Sequence, residues 1–142
     1  MEETQERSLA REAVKIEIAE TPTPFAELDP EVQLAIRCAS EKKAFDIVVL
    51  DLRNIASFTE FFVIASGANQ RQVQAIADEV SEQLKKQLST RPIRIEGYNA
   101  AEWLLLDYGD FVVHIFNGES REFYDLARLW RDARKVELPE GI

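Results

Sequence analysis

Residues 102–116 contain two apolar runs separated by a polar segment that begins at Asp107 and ends at Asp110. Each run has about the length of a buried strand, and an apolar run bounded by Asp and Gly indicates a strand that ends in a turn. Gly109 can adopt a positive φ at little steric cost, and the two aspartates can accept hydrogen bonds from nearby backbone N–H groups. The stretch therefore predicts a β-hairpin, and its turn explains both carboxylates without a catalytic role.

The segment after the hairpin predicts a single helix over residues 120–130 that returns across the two strands. Its apolar side chains recur at helical spacing on one stripe, which comprises Phe123, Leu126, Ala127 and Trp130. Core packing is the favoured interpretation of Phe123 and Trp130.

Two further helices are predicted before the hairpin. Asp29 followed by Pro30 indicates a helix start, because Asp is a preferred N-cap and Pro fits the first helical position. This helix is expected to end near Lys42, where a cation suits the negative end of its dipole. A clear amphipathic helix follows Gly67, with apolar residues at spacings of three and four. They are Val73, Ile76, Ala77, Val80, Leu84 and Leu88.

Residues 45–52 and 60–66 predict two strands, and the continuous apolar run of the first is typical of an interior strand in a sheet covered by helices. The link between them is too short for a crossover helix, so the pair is expected to be antiparallel. Residues 92–97 add a strand after the amphipathic helix, which predicts a right-handed parallel crossover. The predicted fold class is α/β, with a mixed sheet of about five strands and flanking helices.

A chain of 142 residues fits one domain of ordinary size. Its net charge of −9 argues against broad nucleic-acid binding, because neutralising phosphates requires a surplus of Lys and Arg. Residues 1–29 carry 8 acidic and 3 basic side chains, so much of the charge lies in this segment. We expect an acidic N-terminal extension over residues 1–29, either disordered or weakly helical, a domain over residues 30–135 and a C-terminal tail over residues 136–142.

The sequence predicts a cytoplasmic protein. No apolar run reaches the roughly 18 residues that suggest a membrane span, and the acidic N-terminus fits neither a signal peptide nor an organelle transit peptide. Cys38 is the single cysteine, which excludes an intramolecular disulfide and a multi-cysteine metal site. It is expected to be a small core residue on a helix.

Two candidate sites have simple structural explanations. Residues 66–69 lie between a strand and a helix, where backbone N–H groups can hold an anion, but one glycine without a fingerprint motif favours an ordinary turn. His114 is the only histidine and lies within an apolar strand. With no second histidine or cysteine to complete a metal site, a hydrogen-bonded residue in or near the core is favoured.

Three aspartates at strand ends, Asp51, Asp107 and Asp110, can in principle hold a divalent cation for phosphoryl or nucleotidyl transfer. The sequence shows no loop that would hold a triphosphate, so turn formation and pairing with Arg or Lys are favoured. No cofactor and no metal are predicted.

Aromatic residues are concentrated in and just after the hairpin, at Trp103, Tyr108, Phe111, Tyr124 and Trp130. Trp, Tyr and Arg are the side chains that most often dominate binding energy at interfaces. The cluster therefore predicts a binding surface more strongly than any motif predicts catalysis. For Trp103 and Tyr108, partial exposure and burial both stay open.

The same segments resemble the ribosomal silencing factor family, also called the Iojap family, from about Leu34 to Asp132. The resembling stretches are residues 46–53, 62–67, 71–73 with 76–80, 96–97, 102–103 with 106–110, 112–114, and 121–126 with 129–130. They occur in the family's order and at its spacing. The chain departs from the family pattern in two places. Residues 100–101 are two alanines where the family usually has a glycine shortly before the Glu-Trp pair, and residues 60–61 are Glu-Phe in place of the common Asp-Tyr.

The resemblance implies a translation regulator and not an enzyme. Members of that family bind the large ribosomal subunit through its protein fourteen, and they sterically prevent the small subunit from joining when nutrients or energy are short. Homodimers occur among them. The resemblance also implies a sheet related to that of nucleotidyltransferases but without their catalytic residues.

By that resemblance and the aromatic cluster, the partner-binding residues are expected to be Trp103, Leu104, Tyr108 and Phe111 of the hairpin, with Arg121, Glu122 and Tyr124 of the last helix. Two alternatives stay open. One is a nucleotidyltransferase-like enzyme or nucleotide-binding domain that uses the three aspartates, and the other is an assembly factor for the large subunit.

Overall fold

A seven-stranded mixed sheet organises residues 21–142, which are the residues that this computed structural model describes. The strands are β1 (Thr23–Pro24), β2 (Phe45–Asp51), β3 (Phe61–Gly67), β4 (Arg94–Glu96), β5 (Trp103–Asp107), β6 (Phe111–Asn117) and β7 (Arg134–Glu137). The helices are α1 (Pro30–Glu41), α2 (Gln70–Leu88), α3 (Gly118–Tyr124) and α4 (Leu126–Leu129), and a short 3-10 helix lies at Phe25–Glu27. The strand order is β1-β7-β2-β3-β6-β5-β4.

The predicted hairpin is confirmed, because β5 and β6 pair antiparallel. Its turn forms as the residue types indicate. Asp107 Oδ1 accepts a hydrogen bond from the Gly109 N–H at 2.8 Å, and Gly109 has a φ of 86°. The antiparallel pairing of β2 with β3 is confirmed as well, and β2 lies inside the sheet between β7 and β3.

The strand that follows α2 does not lie beside β3. The parallel neighbour of β3 is β6, and β4 lies at the sheet edge beyond β5, antiparallel to it. The strand, helix and strand are therefore parallel in direction as predicted, but two strands separate β3 from β4. Burial explains this order, since β6 is buried along nearly its whole length whereas all three residues of β4 are exposed.

The predicted number of about five strands is too low, because β1 and β7 extend the sheet beyond β2. β7 pairs antiparallel with β2, and β1 pairs parallel with β7. Both are short and lack an apolar run, so their strand conformation depends on pairing with the sheet. β1 therefore lies before the predicted domain boundary at residue 30, and it pairs with β7, which spans the predicted boundary at residue 135. The expectation of disorder or weak helix in residues 1–20 lies outside the described residues.

The prediction of one continuous helix over residues 120–130 is wrong. α3 ends at Tyr124, and Asp125 adopts the left-handed conformation with φ 37° and ψ 57° before α4 begins. Asp tolerates this conformation better than most residues. The Asp125 N–H donates to the Arg121 carbonyl, which closes α3.

Side chains alternate between the two faces of the sheet, and each face has its own core. α1 and α2 cover the face that we call the helical face, where Cys38 is buried on α1 as predicted. The other face, here called the open face, packs against the two short helices α3 and α4 and the segment after them. Within residues 21–142, no helix is both long and apolar enough to cross a membrane.

Candidate binding face of the sheet

A row of ring side chains crosses the open face. It begins at Phe58 in the loop between β2 and β3 and ends at Tyr124 on α3. The distances between ring centroids along the row are 5.9 Å for Phe58–Trp130, 5.8 Å for Trp130–Phe62, 4.5 Å for Phe62–His114, 5.9 Å for His114–Trp103 and 4.7 Å for Trp103–Tyr124. We call this set of six residues the ring row.

The ring row is only partly covered by α3 and α4. Phe58 is 61% exposed at one end of the row, and Leu129 on α4 is 74% exposed. Trp103, Tyr124 and Trp130 are half-buried, so each packs against the core while part of its surface meets solvent. Rings fixed on one side and accessible on the other are suited to anchoring a macromolecular partner.

Trp103 is held by a hydrogen bond to the buried His114. The indole Nε1–H donates to His114 Nδ1 at 3.0 Å, and the indole also packs 5.2 Å from the Phe116 ring. Burial lowers the pKa of His114 to about 4, although Asp107 acts in the opposite direction. His114 is therefore neutral at physiological pH, in agreement with the hydrogen-bonded core residue favoured from sequence.

Arg121 anchors α3 to the sheet instead of projecting toward a partner. Its half-buried guanidinium donates to Ser66 Oγ at 2.6 Å and to the Asp46 carbonyl at 2.7 Å. Asp46 has a φ of 49° and lies at the irregular start of β2, where the pairing register with β3 shifts. Arg121 thus ties three elements together, and burial lowers its pKa without removing its charge.

The structure divides the seven predicted partner-binding residues between the two faces. Trp103 and Tyr124 lie together on the open face, with Arg121 close by and Glu122 exposed on α3. The other three, Leu104, Tyr108 and Phe111, are buried in the core of the helical face. The seven side chains therefore do not form one surface, and partner binding by any of them stays a prediction.

Tyr108 shows why the turn of the hairpin is not an exposed aromatic tip. Its ring stacks on Phe111 with centroids 4.7 Å apart, and only 9% of the residue is exposed. Burial, assisted by the nearby Cys38, raises the pKa of Tyr108 to about 12. The ring is a core side chain.

Sequence reasoning missed Phe58 and Leu129, which are exposed apolar side chains at the open face. Phe58 lies in a loop with polar neighbours, where no periodicity marks it. Leu129 lies off the apolar stripe of the single predicted helix, so the periodicity does not mark it. It lines a shallow concave surface with Tyr124, Arg128 and Arg131. An isolated Phe in a polar loop was the one available signal.

Residues 66–69 form a strand-to-helix turn, the structure that the sequence favours over an anion site. The Asn69 side chain accepts from the Gln72 N–H at 2.9 Å, and Gln72 Oε1 accepts from the Ala68 N–H at 2.6 Å. Gly67 is required for close packing, since a Cβ there would lie 2.9 Å from Val73 Cγ2. The side chains of Asn69 in the turn and of Gln72 in the first turn of α2 therefore satisfy N–H groups that an anion would need.

Asp51 and Asp107 pair with arginines, as the favoured interpretation predicts. Asp51 accepts from Thr23 and Arg53, and these hydrogen bonds outweigh the effect of burial, so its pKa lies below the ordinary value. Asp107 accepts from Arg94 Nε at 3.0 Å. The strands of Asp51 and Asp107 are separated by β3 and β6, a distance of about 14 Å at the usual strand spacing. Among the described residues, no three His, Cys, Asp or Glu side chains are grouped to hold a metal ion.

Comparison with known proteins identifies the family. A profile described as "ribosomal silencing factor during starvation" matches residues 26–142. The chain is 42% identical over 111 residues to a ribosomal silencing factor of Halalkalibacterium halodurans, covering 78% of this chain and 93% of the relative. The corresponding values for a ribosomal silencing factor of Bacillus subtilis are 36% over 111 residues, with 78% and 93% coverage.

A solved structure and a more distant relative are also similar to this chain. A crystal structure from Bacillus halodurans superposes with a TM-score of 0.66 at 39% identity, covering 75% of this chain and 96% of that chain. A mouse protein named "Mitochondrial assembly of ribosomal large subunit protein 1" is 31% identical over 102 residues, which is 70% of this chain and 45% of the relative. The chain belongs to the ribosomal silencing factor family.

Proposed function

We propose that this protein represses translation by binding the large ribosomal subunit through its protein fourteen, and by blocking the surface at which the small subunit joins. Membership of the family and the partly exposed ring row support this proposal. The repression would act in the cytoplasm when nutrients or energy are short. Family membership points to a regulatory factor, and the proposed mechanism forms and breaks no covalent bond.

The binding surface in this proposal is the open face between Phe58 and Tyr124. Its half-buried rings are already ordered by packing, so docking a partner costs them little conformational entropy. Leu129 adds an exposed apolar contact beside Tyr124. The buried residues Leu104, Tyr108 and Phe111 would support this surface from below and would not touch the partner.

Occlusion follows from size and from competition. A bound domain of this size excludes the small subunit from the same region, provided that its affinity exceeds that of subunit association at cellular concentrations. The described sheet is held by pairing from one edge to the other, so the domain can act as a rigid obstacle. The acidic charge of −9 would accelerate encounter with a basic ribosomal protein more than it would raise affinity.

Sedimentation with purified ribosomal subunits tests the proposal. The wild-type protein should sediment with large subunits and should lower the yield of joined ribosomes when small subunits are added. Replacing Leu129 by Ser together with Tyr124→Ala should weaken sedimentation by at least about tenfold, because it removes an apolar contact and a ring anchor.

The matched control is Ile93→Ser, which removes an equally exposed apolar side chain beside β4 at the far edge of the sheet. Ile93 is 73% exposed and Leu129 is 74% exposed, so both changes remove a similar apolar surface. The control should bind large subunits normally. Equal binding by the control and the double variant would exclude the open face, and normal subunit joining at saturating protein would exclude occlusion.

A role in assembly of the large subunit is a second candidate, favoured by the name of the mouse relative. It would use the same surface and differ in timing. Depletion of the protein separates the two, because an assembly role predicts accumulation of large-subunit precursors during growth, whereas silencing predicts excess joined ribosomes during starvation.

A nucleotide-binding function is the remaining alternative. Asp51 and Asp107 are occupied by arginine contacts and lie on strands that are not adjacent. Calorimetric titration with magnesium and nucleoside triphosphates tests this directly. The silencing proposal expects no heat of binding, and a saturable signal would reopen the enzymatic interpretation. A homodimer, as the family resemblance implies, is also a proposal, and analytical ultracentrifugation of the free protein tests it.

A further inference from the structure

The hydrogen bond between Trp103 and His114 fixes where the histidine proton lies. The indole has one donor and no acceptor, so the imidazole nitrogen that it contacts must be unprotonated. Nδ1 is that nitrogen, and the proton of the neutral ring is therefore on Nε2. Nε2 is buried and has no hydrogen-bond partner among the described residues.

A histidine is an unfavourable choice for this position if only core packing is considered. His114 is 4% exposed, and on the open face it lies against the Phe62 ring within an apolar cluster. A buried N–H without a partner destabilises the folded state, and an apolar side chain of similar size would avoid that cost. What such a side chain would lack is the Nδ1 acceptor for Trp103.

The acceptor determines how Trp103 is presented at the surface. The indole is half-buried between the rings of Phe116 and Tyr124, at 5.2 Å and 4.7 Å. Without Nδ1, the indole N–H would have no acceptor within the part of the chain that the structure describes. We expect it to turn toward water, because an unpaired buried donor is unfavourable. The ring would then rotate, and the surface formed with Tyr124 would change shape.

We infer that His114 is a positioning residue, which holds the Trp103 indole in one orientation so that Trp103 and Tyr124 present a fixed surface to the large ribosomal subunit. This inference rests on the proposed function. It assigns to the single histidine a role in recognition that does not involve contact with the partner.

Two substitutions separate the acceptor from the packing. In His114→Asn, the side-chain oxygen is attached to the same Cγ as Nδ1 and can accept the indole N–H. In His114→Leu, the apolar volume is kept but the acceptor is lost. Nuclear magnetic resonance of the indole N–H reports the bond directly, and Trp130 provides an internal reference. Exchange with solvent should be faster for Trp103 in the Leu variant and near the wild-type rate in the Asn variant.

Binding to purified large subunits is the second readout. The Leu variant should bind about tenfold more weakly than wild type, and the Asn variant should bind within about twofold of it. A purely structural role predicts instead that both folded variants bind alike. If His114→Leu does not fold, His114→Phe replaces it as the variant without an acceptor.

Each result supports or overturns the inference. Normal binding by a folded variant without the acceptor overturns the positioning role, and so does weak binding by His114→Asn when its indole N–H is still protected. If Trp103→Ala and the double variant at Leu129 and Tyr124 also bind normally, the open face itself is excluded. That outcome excludes the proposed function. If Trp103→Ala and the double variant lose binding while the folded variant without the acceptor binds normally, the proposed function stands and only the inference fails.

Discussion

The two faces of the sheet are built from adjacent residues of the same strands, yet they differ in how completely they are covered. On the helical face, α1 and α2 pack over a core whose side chains are almost fully buried. On the open face, α3 and α4 are short and leave Phe58 and Leu129 largely exposed. The helical face is therefore a closed core, whereas the open face keeps accessible apolar surface, which the proposed function uses for binding.

Leu104 and Leu105 provide the strongest test of this contrast, because they are neighbours on β5 that point to opposite faces. Leu104→Ala should lower the free energy of unfolding by about 3 kcal/mol, since a fully buried leucine is truncated. Leu105→Ala, at a partly exposed position on the open face, should cost only about 1 kcal/mol. Urea denaturation measures both values. Equal decreases in the free energy of unfolding would show that the two faces bury their side chains equally well.

The buried histidine predicts a pH dependence of intermediate size. Its pKa is about 4 in the folded state and near 6.5 in the unfolded state, so the unfolded state binds more protons between these values. Stability should therefore be complete above pH 6.5 and should fall by about 2 kcal/mol between pH 7 and pH 5.

The control for this prediction is His114→Asn, which cannot titrate. Its free energy of unfolding should change little between pH 7 and pH 5. A wild-type protein that is equally stable at both pH values would show that the imidazole is accessible to protons, and hence that the open face is wetter than its packing indicates.

Arg121 gives the smallest expected effect. Arg121→Met keeps most of the length of the side chain but removes the donors to Ser66 Oγ and the Asp46 carbonyl. The free energy of unfolding should therefore fall by about 1 kcal/mol. Thermal denaturation measures the change. Binding to the large subunit should weaken as well, because α3 carries Tyr124. A variant that binds weakly without losing stability would indicate direct contact between Arg121 and the partner.

The sequence was sufficient to predict the elements that have strong apolar periodicity. The β5–β6 hairpin and α2 each combine an apolar pattern with a clear turn or cap, and both form where they were expected. β1 and β7 were missed because short, charged or proline-containing segments become strands only by pairing with an existing edge. Local propensity contains no information about that pairing.

The candidate site was harder to predict than the fold. The predicted partner-binding set places Trp103 and Leu104 on one surface, although consecutive residues of a strand point to opposite faces. That alternation was available from the sequence and would have separated them. The burial of Tyr108 and the packing of Phe58 against Trp130 were not available from the sequence, because both depend on tertiary contacts.

The left-handed residue at Asp125 has a consequence for how the chain is routed. A straight helix over residues 118–129 would be about 18 Å long and would carry the backbone away from the sheet. The left-handed residue ends this course at Asp125, and the chain after it crosses two strands and adds β7 beside β2. The backbone torsions of this one residue thus separate two short helices where one long helix was expected, and they precede the return of the chain to the edge of the sheet.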